Sequence, residues 1–176
     1  QNFVYDAVGN RTLKSKNNSS IGYQYENDSN RLSQQGSQAV LRDAVGNTLD
    51  DGQRQYQYNA LNRLSQMNDP AAGTGARYPY KYLGQRVSKL VSGAQSADVR
   101  YSYGTEGELL GEYDNTGNRI REYVYLREGS TPELIAMVDA AGEVYAIHTD
   151  HLGTPRLVSN QNKTIVWRWV SDAFGI

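Results

Sequence analysis

Two histidines and an aspartate near the C-terminus are the residue types best suited to chemistry. His148 and His151 bracket Asp150, and imidazole and carboxylate groups serve both as metal ligands and as acid–base catalysts. Residues three apart in a strand point to opposite faces, so a shared metal requires a turn between the two histidines. The chain has no third histidine. We therefore predict a structural, hydrogen-bonding role for His148, Asp150 and His151, with a metal or catalytic role as the alternative.

No other segment has the pattern of an active site. The serines lack a Gly-x-Ser-x-Gly context, and Gly73-Thr74-Gly75 lacks the Lys-Ser/Thr of a phosphate loop. The chain contains no cysteine, which excludes disulfides and thiolate metal sites. Its 18 basic and 19 acidic residues are spread evenly, which gives no argument for a nucleic-acid partner. The prediction is a non-enzymatic protein without a cofactor.

One short segment recurs along the chain and indicates its architecture. Tyr5 to Arg11 reads Tyr-Asp-Ala-Val-Gly-Asn-Arg. Related segments begin at Tyr25, Asp43, Tyr58 and Tyr113, with weaker copies at 138–144 and 172–175. A unit that returns roughly every 16 to 31 residues is typical of a repeat protein. Each copy is predicted to be a turn between two strands, so residues 1–144 form an array of β-hairpins.

The residue types of the repeat suit a turn better than a reaction. Asp114 can accept hydrogen bonds from the backbone N–H groups that follow it, and Gly117 can adopt a positive φ without a Cβ clash. Asn118 tolerates the same region, which predicts a tight Gly-Asn corner. We therefore assign a structural role to the repeat residues Tyr5, Asp6, Gly9, Tyr25, Tyr58, Tyr113, Asp114 and Gly117.

Tyrosines spaced two apart mark the strands. The pairs are Tyr23/Tyr25, Tyr56/Tyr58, Tyr80/Tyr82, Tyr101/Tyr103 and Tyr123/Tyr125. Both members of a pair face the same side of a strand, and aligned across hairpins they would form ladders of rings. The alternative is an aromatic platform for sugars or bases, which requires exposed rings.

The remaining segments complete an all-β prediction. Residues 14–20 and 68–76 are predicted loops, residues 83–85 a shortened turn, and residues 131–138 a strand. About nine turns imply about 16 to 18 strands, a number at which an open sheet curls. The predicted fold is a curled or spiralling sheet of repetitive antiparallel β-hairpins. No apolar run is long enough to span a bilayer, and the N-terminus is not a signal peptide.

The C-terminal segment is the most distinctive. Residues 145–158 read Tyr-Ala-Ile-His-Thr-Asp-His-Leu-Gly-Thr-Pro-Arg-Leu-Val, and Ile-Val-Trp-Arg-Trp follows at 165–169. This segment closely resembles the core of Rhs (rearrangement hotspot) proteins, and the upstream units resemble their YD repeats. YD repeats also occur in teneurins and in insecticidal toxin-complex subunits, whereas the run from His148 to Arg156 is specific to the Rhs branch. Residues 145–176 are therefore predicted to be an Rhs core segment that continues the same sheet.

The resemblance implies a function. In the Rhs family a β-ribbon spirals into a hollow shell that encloses a C-terminal toxin, which bacterial members often deliver to rival cells by type VI secretion. The family's self-cleavage motif, Asp-Pro-x-Gly-Leu, does not occur in this sequence, so cleavage and toxicity are not transferred to it.

The predicted function is thus a non-catalytic section of an encapsulating shell in interbacterial competition. Its partners would be the rest of the shell and the enclosed toxin, with self-association through sheet edges or faces as a further possibility. Its location would be secreted or cell-surface, after a cytoplasmic stage before export. A carbohydrate or cell-surface binding module that uses Tyr and Trp rings is the alternative.

Overall fold

The computed structural model describes residues 1–129 and 131–171. Every regular element in them is a β-strand, which confirms the all-β prediction. The eighteen strands are β1 (Asn2–Tyr5), β2 (Arg11–Lys16), β3 (Ser19–Tyr25), β4 (Leu32–Gln35), β5 (Gln38–Ala39), β6 (Leu41–Arg42), β7 (Thr48–Asp50), β8 (Gln55–Tyr58), β9 (Leu64–Asp69), β10 (Thr74–Arg77), β11 (Ser88–Ser92), β12 (Ala97–Tyr103), β13 (Leu109–Tyr113), β14 (Arg119–Glu128), β15 (Thr131–Asp139), β16 (Val144–Thr149), β17 (Pro155–Ser159) and β18 (Ile165–Arg168). None of the described segments is a helix of the length and apolarity needed to cross a membrane.

The strands belong to two units, Gln1–Tyr78 with Val91–Ser96 and Pro79–Leu90 with Ala97–Ile176. In the first unit β1 to β5 form one sheet, and β6 to β10 are consecutive neighbours in another. In the second unit β12 to β18 are consecutive neighbours. Within each of these runs, each strand pairs with the next one along the chain in antiparallel fashion, as in a series of hairpins, whereas β5 and β6 belong to different sheets. The predicted motif boundary between residues 144 and 145 lies within β16 and stays a prediction.

A one-residue bulge recurs in the hairpins. In eight of the described hairpins the residue before the turn pairs with the residue after it, and the next residue of the outgoing strand is passed over. The bulged residues are Thr12, Ser33, Leu49, Ser65, Leu110, Ile120, Arg156 and Val166. After a bulge, the side chains of the outgoing strand resume their alternation between the two faces of the sheet one residue later than in a regular strand. Residues three apart, such as Pro155 and Val158, therefore share a face.

Three local predictions can be compared with the structure. Residues 14–20 are not a loop: β2 extends through Lys16, and β3 begins at Ser19 after a two-residue turn in which Asn17 has φ 54°. These strands are polar because much of their surface faces water, and Asn favours the positive φ of a two-residue hairpin. The loop at 68–76 is shorter than predicted, because Gly75 and Ala76 belong to β10 and pair with β9. The strand at 131–138 is confirmed as β15.

Very little of the described chain is buried. Tyr23 and Ala76 in the first unit and Val158 in the second are the only buried apolar residues among those described. A sheet layer of this kind leaves large apolar side chains of its strands at the surface, among them Leu41 of β6 (58% exposed) and Val166 of β18 (50% exposed). The sheets therefore have faces that the described residues do not cover.

Candidate functional site

The repeated segment folds into one turn geometry, called here the repeat turn. It has five residues: the first donates its N–H to the carbonyl of the fifth, and the fourth donates its N–H to the carbonyl of the first. The described residues contain nine copies, at 6–10, 43–47, 59–63, 81–85, 104–108, 114–118, 139–143, 150–154 and 160–164. The segment after Tyr25 is different, because its closing bond joins Glu26 to Arg31 and its turn is one residue longer.

In seven repeat turns an Asp or Asn side chain at the first position anchors the loop. Its Oδ1 accepts hydrogen bonds from the backbone N–H groups of the third and fifth residues, both at 2.9 Å for Asp114. The other anchors are Asp6, Asp43, Asn59, Asp139, Asp150 and Asn160. Side-chain hydrogen bonds from Thr116 and Asn118, with these backbone donors, lower the pKa of Asp114 to about 2. The carboxylate of Asp114 therefore stabilises the turn through these hydrogen bonds.

The fourth residue of the repeat turn always has a positive φ. Glycine occupies this place in seven copies, including Gly9 (φ 89°) and Gly117 (φ 89°), and Asn62 (φ 56°) and Lys163 (φ 61°) occupy it in the other two. The prediction that Gly117 and Asn118 together form a tight corner is therefore wrong in detail. At residues 114–118 the left-handed residue is Gly117, and Asn118 instead closes a five-residue loop through its carbonyl and its side chain.

In each sheet of the first unit, amide side chains join two neighbouring turns that lie at the same ends of the strands. Asn10 Nδ2 donates to Asn30 Oδ1 at 3.0 Å, and Asn47 Nδ2 donates to Asn62 Oδ1 at 3.2 Å. The two turns of each pair are separated by two strands. Because successive strands run in opposite directions, an even number of strands brings the chain back to the same end of the sheet. In the second unit the turns at 104–108 and 114–118 are separated by β13 alone, so they lie at opposite ends of that strand.

The predicted chemical site near the C-terminus is one of these repeat turns. Asp150 is its first residue: Oδ1 accepts the N–H groups of Leu152 and Thr154, both at 3.0 Å, and Oδ2 accepts from Arg156 at 2.8 Å. The hydrogen bond from Thr154 is the largest cause of a lowered pKa at Asp150. Both carboxylate oxygens are thus engaged within the protein.

The two histidines have separate surroundings. His148 lies on β16, with its ring Nε2 3.0 Å from Ser159 Oγ on β17. His151 is exposed at the second position of the turn. Among the residues that the structure describes, no three His, Asp or Glu side chains are grouped so as to hold a metal ion. The geometry favours the hydrogen-bonding interpretation of His148 and Asp150.

An arginine that the sequence-based prediction did not single out links this turn to the last strand. Arg156 is the bulged residue of β17, and its guanidinium contacts Asp150 and lies over the ring of Trp169, 4.5 Å from the centroid. Trp169 in turn donates its backbone N–H to the Arg156 carbonyl at 2.9 Å. The distinctive run from His148 to Arg156 therefore connects a turn, a bulge and the chain beyond β18.

The repeat tyrosines bind across strands with their hydroxyl groups. Tyr25 Oη donates to the Arg11 carbonyl at 2.9 Å, and Tyr113 Oη donates to Glu122 Oε1 at 2.8 Å. Tyr5 ends β1 with 49% of its surface exposed, and Tyr58 ends β8 opposite Leu64.

The expected ladders of adjacent rings do not occur in the observed registers. Residues directly opposite tyrosines include Gln35, Met67, Glu112, Met137 and Leu134. The pair Tyr101/Tyr103 on β12 and the pair Tyr123/Tyr125 on β14 lie two strands apart, which places them about 10 Å from each other rather than at direct cross-strand distance.

Three repeat turns lack the signal by which the others are recognised in the sequence. The turns at 81–85, 104–108 and 160–164 begin with Lys, Gly and Asn in place of the Asp that begins five of the other copies. In particular, residues 83–85 belong to a full repeat turn and not to a shortened one. A glycine, Asn or Lys four residues into a polar break between strands is the signal that they share with the other copies. The copy predicted at 172–175 lies outside the described residues.

Residues 1–176 match the family model described as Teneurin YD-shell. Among curated relatives, Teneurin-4 of Mus musculus is 26% identical over 175 residues, which are 98% of this chain and 6% of Teneurin-4. Toxin protein Tse5 of Pseudomonas aeruginosa is 29% identical over 167 residues, which cover 74% of this chain and 13% of Tse5. The chain thus spans only a small part of the relatives that it matches.

A solved structure is similar over nearly the whole chain. One chain of the Tc holotoxin pore of Photorhabdus luminescens superposes with a TM-score of 0.64 at 18% identity, covering 98% of this chain and 9% of that one. At this identity the similarity shows a shared fold.

Proposed function

The chain belongs to the teneurin YD-shell family, and on this basis we propose that it is a non-catalytic wall section of a β-shell that encloses a C-terminal toxin or effector for delivery to rival cells. Its partners are then the rest of the shell and the enclosed polypeptide. Its place of action is outside the producing cell or at the cell surface, after a cytoplasmic stage. Tse5, a relative that covers this chain in part, is named a toxin protein.

The observation that supports this proposal most directly is the small buried fraction of a regular sheet. In the second unit Val124, Leu126, Val144 and Ile165 are each 42% to 47% exposed. Exposed apolar side chains on the strands of one sheet suit a place where another part of an assembly packs. A wall section of a larger shell has this property, because its faces are completed by neighbouring sections and contents.

The edge strands β1 and β18 also suit a sheet that continues into neighbouring parts of a shell. Within the described residues β18 pairs with β17 alone, and β1 pairs with β2 alone. An edge strand presents unpaired N–H and C=O groups to a further strand. In the proposed shell those strands come from the same polypeptide; association of two copies of this section through their edges would be the same interaction between molecules.

The decisive experiment is limited proteolysis of the full-length protein that contains this section. Val138 lies in β15 and pairs with Glu122 on one side and Val144 on the other, and Val138→Pro removes an N–H and obstructs the ladder. We expect the enclosed effector to resist trypsin in the wild-type protein and to be cleaved in the variant. Ala140→Pro, at the second position of the neighbouring repeat turn, is the matched control, because proline suits that place in a turn.

Two results would contradict the shell role. One is an effector that trypsin cleaves equally fast in the wild-type protein and in Val138→Pro. The other is a loss of effector activity, measured after release from the shell, on changing a residue such as His148 in this section.

Carbohydrate recognition is the second candidate, and the observation that favours it is an exposed indole. Trp167 is 47% exposed and shares one concave surface with Tyr123 and Tyr125. Stacking on such rings is a common way to hold a sugar. The hydroxyls of both tyrosines already donate within the protein, which leaves few polar groups for a sugar and places this candidate second. A glycan array without signal, or with signal unchanged in Trp167→Ala, would remove it.

A further inference from the structure

One face of the second unit contains an apolar hollow of about 460 Å³. Six successive strands, β13 to β18, each contribute to its wall, through Leu109, Tyr125, Met137, Ile147, Val158 and Trp167. This volume lies within the range of pockets that bind small molecules, about 300 to 1,000 Å³. The proposed shell role does not use this hollow; the carbohydrate candidate involves the same concave surface through Tyr123, Tyr125 and Trp167.

The strand registers explain why these side chains converge. Ile147 is directly opposite Val158, and Val158 is directly opposite Trp167, so the three share one face across β16, β17 and β18. On β15 the bulge at Ile135 brings Leu134 to the same face as Met137, three residues later. The bulges thus concentrate apolar side chains on this face.

The tyrosine hydroxyls of the hollow have partners inside the protein. Tyr123 Oη donates to Glu112 Oε1 at 2.7 Å, and Tyr125 Oη donates to the Leu109 carbonyl at 2.9 Å. Burial, followed by the hydrogen bond to Glu112, raises the pKa of Tyr123, so this ring stays neutral at physiological pH. The rings therefore offer mainly apolar surface to a ligand.

Among the described residues that line the hollow, Arg121 is the one with a charged side chain. Its guanidinium forms an ion pair with Glu112, in which Nε lies 3.7 Å from Oε2, a separation longer than a hydrogen bond, and its side chain is 45% exposed. Glu112 is itself only 19% exposed and already accepts the Tyr123 hydroxyl. A guanidinium has five N–H donors in a planar fork that matches a carboxylate. The hollow thus combines an apolar wall with a cationic group at which an anion can bind.

We propose that this hollow binds an apolar monoanion, a molecule with one carboxylate on a hydrophobic or aromatic body. The body packs against the apolar wall, and the carboxylate accepts hydrogen bonds from Arg121. The site is distinct from the shell role, because it requires neither a cargo nor the rest of a shell.

The two tryptophans allow a direct test. Trp167 lines the hollow, whereas Trp169 lies under Arg156, so Trp169→Phe leaves a single fluorescent reporter at the site. This variant of the 176-residue chain is titrated with dodecanoate, dodecanol and dodecyltrimethylammonium, each below its micelle concentration. We expect a saturable change in Trp167 fluorescence, with dodecanoate bound about ten-fold more tightly than dodecanol, because a hydrogen bond to a charged group is stronger than one to a neutral group.

Variants at arginine complete the test. Arg121→Gln should remove the preference for dodecanoate, and Arg121→Lys should retain part of it. Arg100→Gln is the matched control, because Arg100 pairs with Asp98 and does not line the hollow. Circular dichroism checks that each variant keeps its sheet. Absence of a saturable change, tighter binding of the ammonium compound, or an unchanged preference in a folded Arg121→Gln protein would each overturn the proposal.

Discussion

Asp150 and Arg156 hold the two sides of one hairpin together: a single carboxylate oxygen lies 2.8 Å from both Nε and a terminal nitrogen of the guanidinium. The same guanidinium covers Trp169. The aspartate with the most suggestive neighbours in the sequence is thus a structural anchor, and its arginine partner lies at the recurrent bulge.

The first prediction concerns this arginine. Arg156→Lys keeps the charge but loses the planar fork and much of the ring contact, and the side chain is 45% exposed. We expect a loss of about 0.5 to 1 kcal/mol in the free energy of unfolding, measured by chemical denaturation, with a change in tryptophan fluorescence. Arg168→Lys, on exposed β18, is the control. If the free energy of unfolding of Arg156→Lys equals that of the wild-type protein, the contact of Arg156 with Asp150 and Trp169 does not stabilise the hairpin.

The second prediction is a dependence of stability on acid. The pKa of Asp114 is lowered from 3.8 to about 2 by hydrogen bonds from Thr116 and Asn118. Because the folded-state pKa is below the unfolded value, the contribution of this carboxylate to stability is complete above pH 3.8 and is lost as the pH falls through about 2. Carboxyl NMR titration should give the low pKa directly.

Asp114→Asn is the control for this titration. Asn59 already anchors a repeat turn with its amide oxygen, at 2.9 Å from Leu61 N and 3.0 Å from Arg63 N. The Asn variant should therefore fold and lose part of the acid dependence, whereas Asp114→Ala should be less stable at neutral pH. A measured Asp114 pKa near 3.8 would refute the anchoring role.

The third prediction separates backbone strain from packing. Gly117 has φ 89°, and a Cβ added there would meet no heavy atom within 4 Å. Gly117→Ala should therefore destabilise the protein through strain alone, by about 1 kcal/mol. Gly117→Asn should cost less, since Asn62 adopts φ 56° at the same position.

Gly22→Ala provides the matched comparison for Gly117. Gly22 lies in β3 without a positive φ, and a Cβ at this residue would also meet nothing within 4 Å. The added methyl group should be neutral or mildly stabilising, because it restricts the unfolded chain. Thermal denaturation compares the two variants. Equal effects of both alanines would contradict the strain argument.

The fourth prediction tests a tyrosine hydroxyl. Tyr125→Phe leaves the Leu109 carbonyl without the 2.9 Å hydrogen bond that it accepts, which should lower the free energy of unfolding by about 1 kcal/mol. Tyr82→Phe is the control, because Tyr82 is 87% exposed. If denaturation midpoints of both variants equal that of the wild-type protein, the cross-strand hydroxyl bond is not stabilising.

The repeat turns show which features of the fold can be predicted from local sequence. Asp114 and Gly117 can be recognised because the turn needs a short acceptor at one end and a left-handed residue three places later. Copies that begin with Lys81 or Gly104 form the same backbone bonds without an Asp anchor, so a search for Tyr-Asp misses them. The polar strand ending at Lys16 escapes prediction for a similar reason: neither of its faces needs apolar residues.

Local chemistry therefore accounts for the all-β fold, the hairpin order and the structural purpose of the aspartates, because a turn involves only about five consecutive residues. The tertiary structure alone decided which residues meet across strands. Leu109 and Trp167 line one hollow although they lie far apart in the sequence, and Arg156 reaches Trp169. These contacts depend on pairing register, and a single bulge, whose position depends on the partner strand, changes which side chains share a face.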